Sequence, residues 1–120
     1  MAAPTTALPD PVAERVSVST DFPSPDMETV ELVDVLRALA DPTRLKIVRV
    51  LADGNPHSKT AWEWDFDMQK SALAYHFKAL REAGITNTIV NGRAHDIQLR
   101  RGELDARFPG LIDALIASTD

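Results

Sequence analysis

The stretch KSALAYHFKALREAGI, residues 70–85, is the part of the sequence from which the fold is predicted. At about 100° per residue, Leu73, Phe77 and Leu80 share one face, as expected for an amphipathic helix packed on a core. His76 falls within the same apolar arc. It is therefore interpreted as a packed, hydrogen-bonded core histidine rather than as a ligand or a catalytic base.

The opposite face of this helix is polar and small. It carries Lys70, Ser71, Ala74, Tyr75, Lys78 and Arg81. Such a face suits a DNA major groove, because lysines neutralise phosphates, small residues allow close approach, and hydroxyl or aromatic groups meet base edges. An ordinary solvated face explains the same residues when the helix is considered alone. The helix is predicted to run from Gln69 to Ala83, with Gly84 in the left-handed conformation that closes helices.

Two further helices are predicted upstream. The first follows Asp26 and has apolar residues at helical spacing, namely Leu32, Val33, Leu36, Leu39 and Ala40. The second has Asp41 as its N-cap and Pro42 in its first turn, where the missing N–H costs nothing. Gly54 is predicted to end it. Its buried stripe is predicted to be Leu45, Val48 and Leu51.

A short helix and a β-hairpin complete the middle of the chain. Ser58 is predicted to cap a helix that ends at Trp64. Residues 85–99 form two strand-like runs around Asn-Gly at 91–92, the strongest short-range hairpin signal. Arg93 lies beside this turn, where a wing would bring it to a phosphate or a minor groove. An ordinary surface arginine is the alternative.

The chain ends in a predicted C-terminal helix that is too apolar to be left exposed. The segment GELDARFPGLIDALIAS places Leu111, Leu115 and Phe108 on one side, with Pro109 positioned to begin a helical turn. The order is therefore helix, helix, short helix, helix, hairpin, helix. This order predicts a mainly α fold with a β-hairpin wing, the winged helix-turn-helix.

Composition limits the classes of function. The 120 residues hold no cysteine, which excludes disulfides and thiolate metal sites. Residues 1–25 hold five of the eight prolines and are predicted to form a flexible arm, leaving residues 26–120 as the domain.

The net charge is −5, but charge is unevenly distributed along the chain. Residues 41–101 have ten Lys or Arg against seven Asp or Glu, giving +3, and the flanks have three against eleven, giving −8. A basic middle part is compatible with an anionic partner.

Two of these segments resemble a known family. LRALADPTRLKIVRVLADG, residues 36–54, and the stretch quoted first are similar to the helix 1–helix 2 segment and the recognition helix of ArsR/SmtB-type winged-helix transcriptional regulators. The hairpin tip Asn-Gly-Arg, residues 91–93, resembles the wing of that family. His76 matches the histidine of the family's Ser-x-His-Leu motif, whereas Ala74 replaces its serine.

The resemblance implies a homodimer built from the first and last helices, acting mostly as a repressor on a pseudo-palindromic operator. Symmetry would place the two recognition helices about 34 to 36 Å apart, one turn of DNA. The residues expected to contact DNA are Gln69, Lys70, Ser71, Ala74, Tyr75, Lys78 and Arg93. The residues expected at the dimer contact are Leu32, Leu36, Leu111 and Leu115.

An effector is harder to predict. Cysteine pairs before the recognition helix are absent, and no histidine follows His95. A divalent nickel or zinc ion could use histidine and carboxylate ligands. The candidates are His57, Glu63, Asp65 and His95. Structural roles explain the same residues, since Asp65 or Asp67 could cap the recognition helix. Of Trp62 and Trp64, one could line a pocket for an apolar effector.

Three functions were compared. The leading hypothesis is a cytoplasmic, dimeric, DNA-binding transcriptional regulator, for which a metal, a small molecule or a protein is the candidate effector. The alternative is a winged-helix module that has lost specific DNA binding and pairs with another protein, an interpretation supported by the acidic flanks and by Ala74. An enzyme is not expected, because the sequence has no Gly-rich phosphate loop and no nucleophile paired with a base. Neither a secretory signal nor a membrane span is expected.

Overall fold

The computed structural model describes residues 17–18, 22–60, 64 and 68–118. Five helices and four strands follow one another along the chain. They are β1 (Ser17–Val18), α1 (Leu32–Leu39), α2 (Pro42–Val50), β2 (His57–Ser58), α3 (Lys70–Glu82), β3 (Thr86–Asn91), β4 (Ala94–Leu99), α4 (Arg101–Arg107) and α5 (Leu111–Ala117). This is the predicted winged helix-turn-helix, with α3 in the position of the recognition helix and the β3–β4 hairpin as the wing.

The strands form one antiparallel sheet in the order β1-β3-β4-β2. Asn91 pairs with Ala94, so Gly92 and Arg93 are the two turn residues. The predicted hairpin is confirmed, but its turn lies one residue later than the Asn-Gly pair. The reason is that Gly92, with a φ of 64°, takes the first turn position, where a left-handed conformation is needed.

The core lies between the helices and one face of the sheet. Its largest fully buried apolar side chains come from α2 and the turn after it, from α3 and the residue before β3, from β4 and from both C-terminal helices: Ile47, Leu51, Leu80, Ile85, Ile97, Leu104 and Ile112. In α2 the prediction of Leu45 as a buried residue is wrong. Ile47 is fully buried and Leu45 only half-buried, because α2 is covered on the side that faces α3 and the C-terminal helices.

The start and the end of α2 agree with the prediction. The Asp41 carboxylate accepts hydrogen bonds from the backbone N–H groups of Thr43 (2.9 Å) and Arg44 (3.0 Å). Pro42 occupies the first helical position. A 3-10 turn follows the helix and ends at Gly54 in the left-handed conformation, with a φ of 80°.

Two predicted helices differ from the structure. Ser58, predicted to cap a helix, lies in β2 and pairs with Asp96 of β4, and residues 61–63 of that predicted helix lie outside the described residues. The C-terminal segment forms two helices rather than one. The break falls at Phe108–Gly110, since Pro109 has no N–H for a continuous helix and Gly110 has a φ of 85°.

Part of the predicted N-terminal arm contacts the domain. β1 pairs with β3, and Ser24 Oγ donates to the carbonyl of Thr86 (3.1 Å). The carbonyl of Pro25 accepts a hydrogen bond of 2.7 Å from the buried Arg100. A flexible arm remains a prediction for residues 1–16 and 19–21, which lie outside the described residues. None of the described helices has the length and apolar character needed to cross a membrane.

Candidate nucleic-acid interface

The outer face of α3 is exposed along its whole length. All of its predicted reader residues lie at the surface, namely Gln69, Lys70, Ser71, Ala74, Tyr75 and Lys78. Tyr75 is the most prominent of them, with 66% of its surface exposed. The residues of this face are small, cationic or hydroxylated, so they can approach and contact an anionic surface closely.

The inner face of α3 is held by apolar contacts. Leu73, Phe77 and Leu80 are buried, as the helical spacing predicts. The ring of Trp64 packs edge-on against Phe77, with 5.2 Å between centroids. Trp64 Nε1 also donates a 2.6 Å hydrogen bond to the carbonyl of Ser58. These contacts fix the height and rotation of α3 relative to the domain. Trp62 lies outside the described residues.

The two ends of α3 differ. Gln69 is the N-cap and its side chain makes no capping hydrogen bond, so the prediction that Asp65 or Asp67 caps this helix is wrong. At the other end, Gly84 has a φ of 88° and lies against the side chain of Val30. The helix therefore ends firmly on the body of the domain, whereas its first turn lacks a side-chain cap from Gln69.

His76 lies between the two faces of α3. Its ring is half-buried and packs edge-on against the ring of Tyr75, with 5.7 Å between centroids. The predicted hydrogen bond is not seen at Nδ1, which is buried and has no partner in the part of the chain that the structure describes. The reason is its position at the margin of the apolar arc, where the nearest charged group acts at a distance rather than by contact.

That charged group is Asp41. Burial raises the pKa of the Asp41 carboxyl, but the backbone N–H of Arg44 and the positive charges of Arg44 and His76 outweigh this effect and hold the pKa below its usual value. The N-cap of α2 and the histidine of α3 are therefore electrostatically linked.

The wing presents its turn to solvent. Gly92 and Arg93 are both exposed at the tip of the hairpin. In the described residues no ion pair holds the Arg93 guanidinium, and the charge is available to a partner.

Lys78 forms an ion pair of 3.9 Å with Glu82, one turn further along α3. Both side chains of that pair are well exposed, so the pair is weak and easily exchanged for another anion.

Comparison with known proteins gives this surface a context. Residues 41–88, which span α2, β2, α3 and the first residues of β3, match the family described as bacterial regulatory protein, arsR family. The chain is 34% identical over 82 residues to an uncharacterized HTH-type transcriptional regulator, YceK, of Bacillus subtilis (strain 168), covering 68% of this chain and 82% of the relative. The chain belongs to the ArsR family of regulatory proteins. As an ArsR-family protein it is a DNA-binding transcriptional regulator, which is not a class of enzyme.

A second relative supports the same assignment. The arsenical resistance operon repressor of Staphylococcus xylosus is 33% identical over 79 residues, covering 66% of this chain and 75% of the relative. The shared region in the ArsR family model includes the N-cap of α2 and the whole of α3. Most of residues 36–54 and all of residues 70–85, on which the resemblance was based, fall within the family match, whereas the hairpin tip at 91–93 lies beyond it.

The predicted nickel or zinc ligands have other partners in this ArsR-family chain. His57 Nε2 lies 3.1 and 3.0 Å from the two carboxylate oxygens of Asp53. The ring of His95 packs edge-on against the ring of Phe22, with 5.3 Å between centroids. No group of three His, Asp or Glu that could hold a metal ion occurs among the described residues. The other two candidates, Glu63 and Asp65, lie outside those residues.

One cation near α3 was missed by the sequence interpretation. Lys59 follows β2 and lies against α3 beside Ala74 and Phe77, far from both in sequence. The sequence interpretation gave Lys59 no role, because the preceding residue, Ser58, was predicted to cap a helix. Only the pairing of β2 with β4 brings Lys59 to this position.

Proposed function

We propose that the protein is a homodimeric repressor that inserts α3 of each protomer into the major groove of a pseudo-palindromic operator. The observation that carries the proposal is the exposed outer face of α3, in a chain whose wing tip is exposed as well. In a bacterium such a protein acts in the cytoplasm, where the DNA is.

Each residue of the outer face has a role in this proposal. Lys70 and Lys78 donate to phosphates or to the acceptors of guanine, and Ser71 and Tyr75 place hydroxyls at base edges. Ala74 allows close approach and offers a methyl group to thymine. Gln69, at the N-cap, is positioned to donate to a base or to the backbone. The wing residue Arg93 reaches the backbone or the adjacent minor groove.

Exposed apolar residues support the dimer. Of the five large apolar side chains exposed in the described residues, four lie on α1 and α5, and the fifth is Tyr75. These four are Leu32 (45%), Val33 (48%), Leu36 (47%) and Ile116 (39%). Leu111 and Leu115 of α5 are half-buried and pack against the core. Clustered exposed apolar side chains are typical of protein interfaces. A two-fold dimer formed through it would present two α3 helices to one side of a DNA duplex, about 34 to 36 Å apart.

The repressor role is proposed because one relative is named arsenical resistance operon repressor. A protein bound at a promoter would repress by sterically excluding other proteins from that DNA. Response to an effector is part of the proposal.

Fluorescence anisotropy tests the proposal. The full chain is titrated into labelled duplex from the region upstream of its own gene, and into random duplex of equal length, over a series of salt concentrations. Specific binding with a Kd of about 10⁻⁸ M or tighter, falling steeply with salt, is expected. Equal affinity for the two duplexes would contradict it and would favour the protein-interaction module.

A further inference from the structure

A cleft of about 340 Å³ lies between α3 and the segment that follows β2. Its apolar walls are the side chains of Trp64, Leu73 and Phe77, and its mouth is formed by Lys59 and Lys70. Small-molecule sites in proteins have volumes of about 300 to 1,000 Å³ and are lined mainly by apolar and aromatic side chains with a few polar groups. The cleft has the size and lining of such a site.

Lys59 is the polar group that distinguishes this cleft. Burial lowers the pKa of its ammonium group, and the nearby charge of Arg81 lowers it further. The described part of the chain places no carboxylate in ion-pair contact with Lys59. A half-buried cation that is repelled by a second cation and has no anionic partner favours binding of an anion.

A neighbouring hollow of about 240 Å³ shares Lys59 and Phe77 with the cleft and has a second aromatic ring in its wall. This ring is Phe22, whose centroid lies 4.8 Å from the Lys59 Nζ and 5.6 Å from the Arg81 guanidinium carbon. A cation above an aromatic face is attracted by the negative charge density on that face of the ring. The chain's own contact therefore indicates that flat aromatic groups fit beside these cations.

We propose that the cleft binds a small aromatic carboxylate, with its ring against the apolar wall of Trp64, Leu73 and Phe77 and its carboxylate paired with Lys59. A phosphate of DNA would bind to the exposed lysines of α3 rather than to the half-buried Lys59. A half-buried lysine above an apolar floor fits a ligand that combines one negative charge with an apolar body.

The position of the cleft links the ligand to DNA. Lys70 and Ala74 line the cleft and also belong to the outer face of α3. A bound carboxylate covers this side of Ala74 and adds a negative charge beside Lys70, so it lowers affinity for DNA. This second step rests on the proposed function, whereas binding of the carboxylate itself does not.

Calorimetric titration of the full chain, without DNA, tests the site. The probes are 2-naphthoate and its neutral counterpart 2-naphthylmethanol. Saturable binding of one 2-naphthoate per protomer is expected, with the neutral compound about tenfold weaker because it lacks the charge that pairs with Lys59. Absence of saturable 2-naphthoate binding overturns the proposal.

Three variants separate the charge from the shape of the cleft. Lys59→Met is expected to weaken 2-naphthoate binding about tenfold and to leave 2-naphthylmethanol binding unchanged. Ala74→Met, at an exposed position, fills the cleft and is expected to abolish binding of both. Lys46→Met, on the exposed surface of α2, is the matched control and is expected to bind like the unmodified chain. Circular dichroism and thermal melts confirm that each variant is folded. Unchanged 2-naphthoate affinity in Lys59→Met overturns the proposal.

Anisotropy with operator DNA then tests the coupling. Saturating 2-naphthoate is expected to raise the Kd for DNA about tenfold in the unmodified chain and not in Lys59→Met. If 2-naphthoate binds but the Kd for DNA is unchanged, the coupling is overturned. Failure of the chain to bind any operator would contradict the proposed function, and the calorimetric result would still decide the site.

Discussion

Two glycines of this protein share a left-handed backbone but differ in their surroundings. Gly84, at the end of α3, has a φ of 88°, and Gly92, at the tip of the wing, has a φ of 64°. A Cβ added at Gly84 would collide with the side chain of Val30, whereas a Cβ at Gly92 would meet open space. At the residue scale, one glycine permits close packing and the other permits a turn.

Replacing these glycines separates the two effects. Both Gly84→Ala and Gly92→Ala incur the left-handed penalty of about 1 to 2 kcal/mol. Gly84→Ala is expected to lose distinctly more stability, because Val30 must also move. Urea unfolding measures both losses, through the midpoint at constant slope. Equal losses would show that the contact with Val30 is easily relieved.

Asp41 stabilises α2 through its N-cap. Asp41→Ala is expected to lower the free energy of unfolding by about 1 kcal/mol, and Asp41→Asn to lose much less, since asparagine also caps helices well. The pKa of Asp41 is lowered by folding, so its ionised form stabilises the fold above the unfolded pKa. This contribution is lost as the pH falls through the lowered pKa of the folded state. Unfolding curves recorded from pH 7 into the acid range check this, and an Asp41→Asn chain with the same acid dependence would contradict it.

The reader residues of α3 can be distinguished from its supporting residues. Tyr75→Phe is expected to weaken operator binding by about 1 kcal/mol through loss of one hydrogen bond. Lys70→Ala is expected to weaken binding to operator and random DNA alike, and to lower the salt slope by about 1. His76→Ala serves as the comparison, because it is expected to change the melting temperature more than the affinity of the folded chain. A Tyr75→Phe chain with unchanged operator affinity would remove Tyr75 from the readers.

At the element scale, α3 and the wing are rigidly connected. α3 leads through Gly84 directly into β3, and the buried Arg100 donates to the carbonyl of Gly84 (3.4 Å) and to that of Pro25 (2.7 Å). Arg100 also forms an ion pair of 3.0 Å with Glu103, which lies in the first turn of α4. Arg100 directly follows β4, so these bonds tie the end of the hairpin to the end of α3.

The wing is expected to contribute affinity rather than sequence preference. Arg93→Ala is expected to weaken operator and random DNA equally and to lower the salt slope by about 1, because a phosphate contact carries no base information. Arg93→Lys is the matched control and is expected to keep most of the affinity. A loss confined to the operator would show that Arg93 reads bases instead. Anisotropy over a salt series makes the distinction.

At the scale of the whole molecule, apolar and cationic surfaces are separated. The apolar surface of α1 and α5 is available to a second copy, while the outer face of α3 and the wing are available to DNA. One surface can therefore assemble the protein without covering the other.

A charge placed on α1 tests the dimer. Leu36→Glu is expected to yield a folded monomer, because Leu36 is 47% exposed in one protomer and a glutamate would have to be buried at the contact. Sedimentation velocity measures the change, and operator affinity is expected to fall with it. Tyr75→Glu places the same charge on the outer face of α3 and is expected to remain dimeric. A dimeric Leu36→Glu chain would place the contact elsewhere.

Much of the fold could be predicted because its signals are local. The spacing of Leu73 and Phe77 predicts the buried face of α3, and the turn at Gly92 predicts the wing within one residue. Predictions failed where a local pattern fitted two structures. The segment around Pro109 is apolar at helical spacing on both sides, so one helix was expected, but Gly110 turns the chain and produces two.

By itself, the sequence determined the start of α2, the end of α3 and the faces of α3, because Asp41 and Gly84 act on backbone groups within a few residues of themselves. The tertiary structure decided the position of Ser58 in the sheet and the exposure of Leu36. It also decided the approach of Lys59 to α3. Each of these depends on which distant segments meet, and β2 becomes a strand only because β4 supplies its hydrogen bonds. Contacts between residues far apart in the chain leave no periodic pattern in the sequence, and they create the surfaces on which the proposed functions depend.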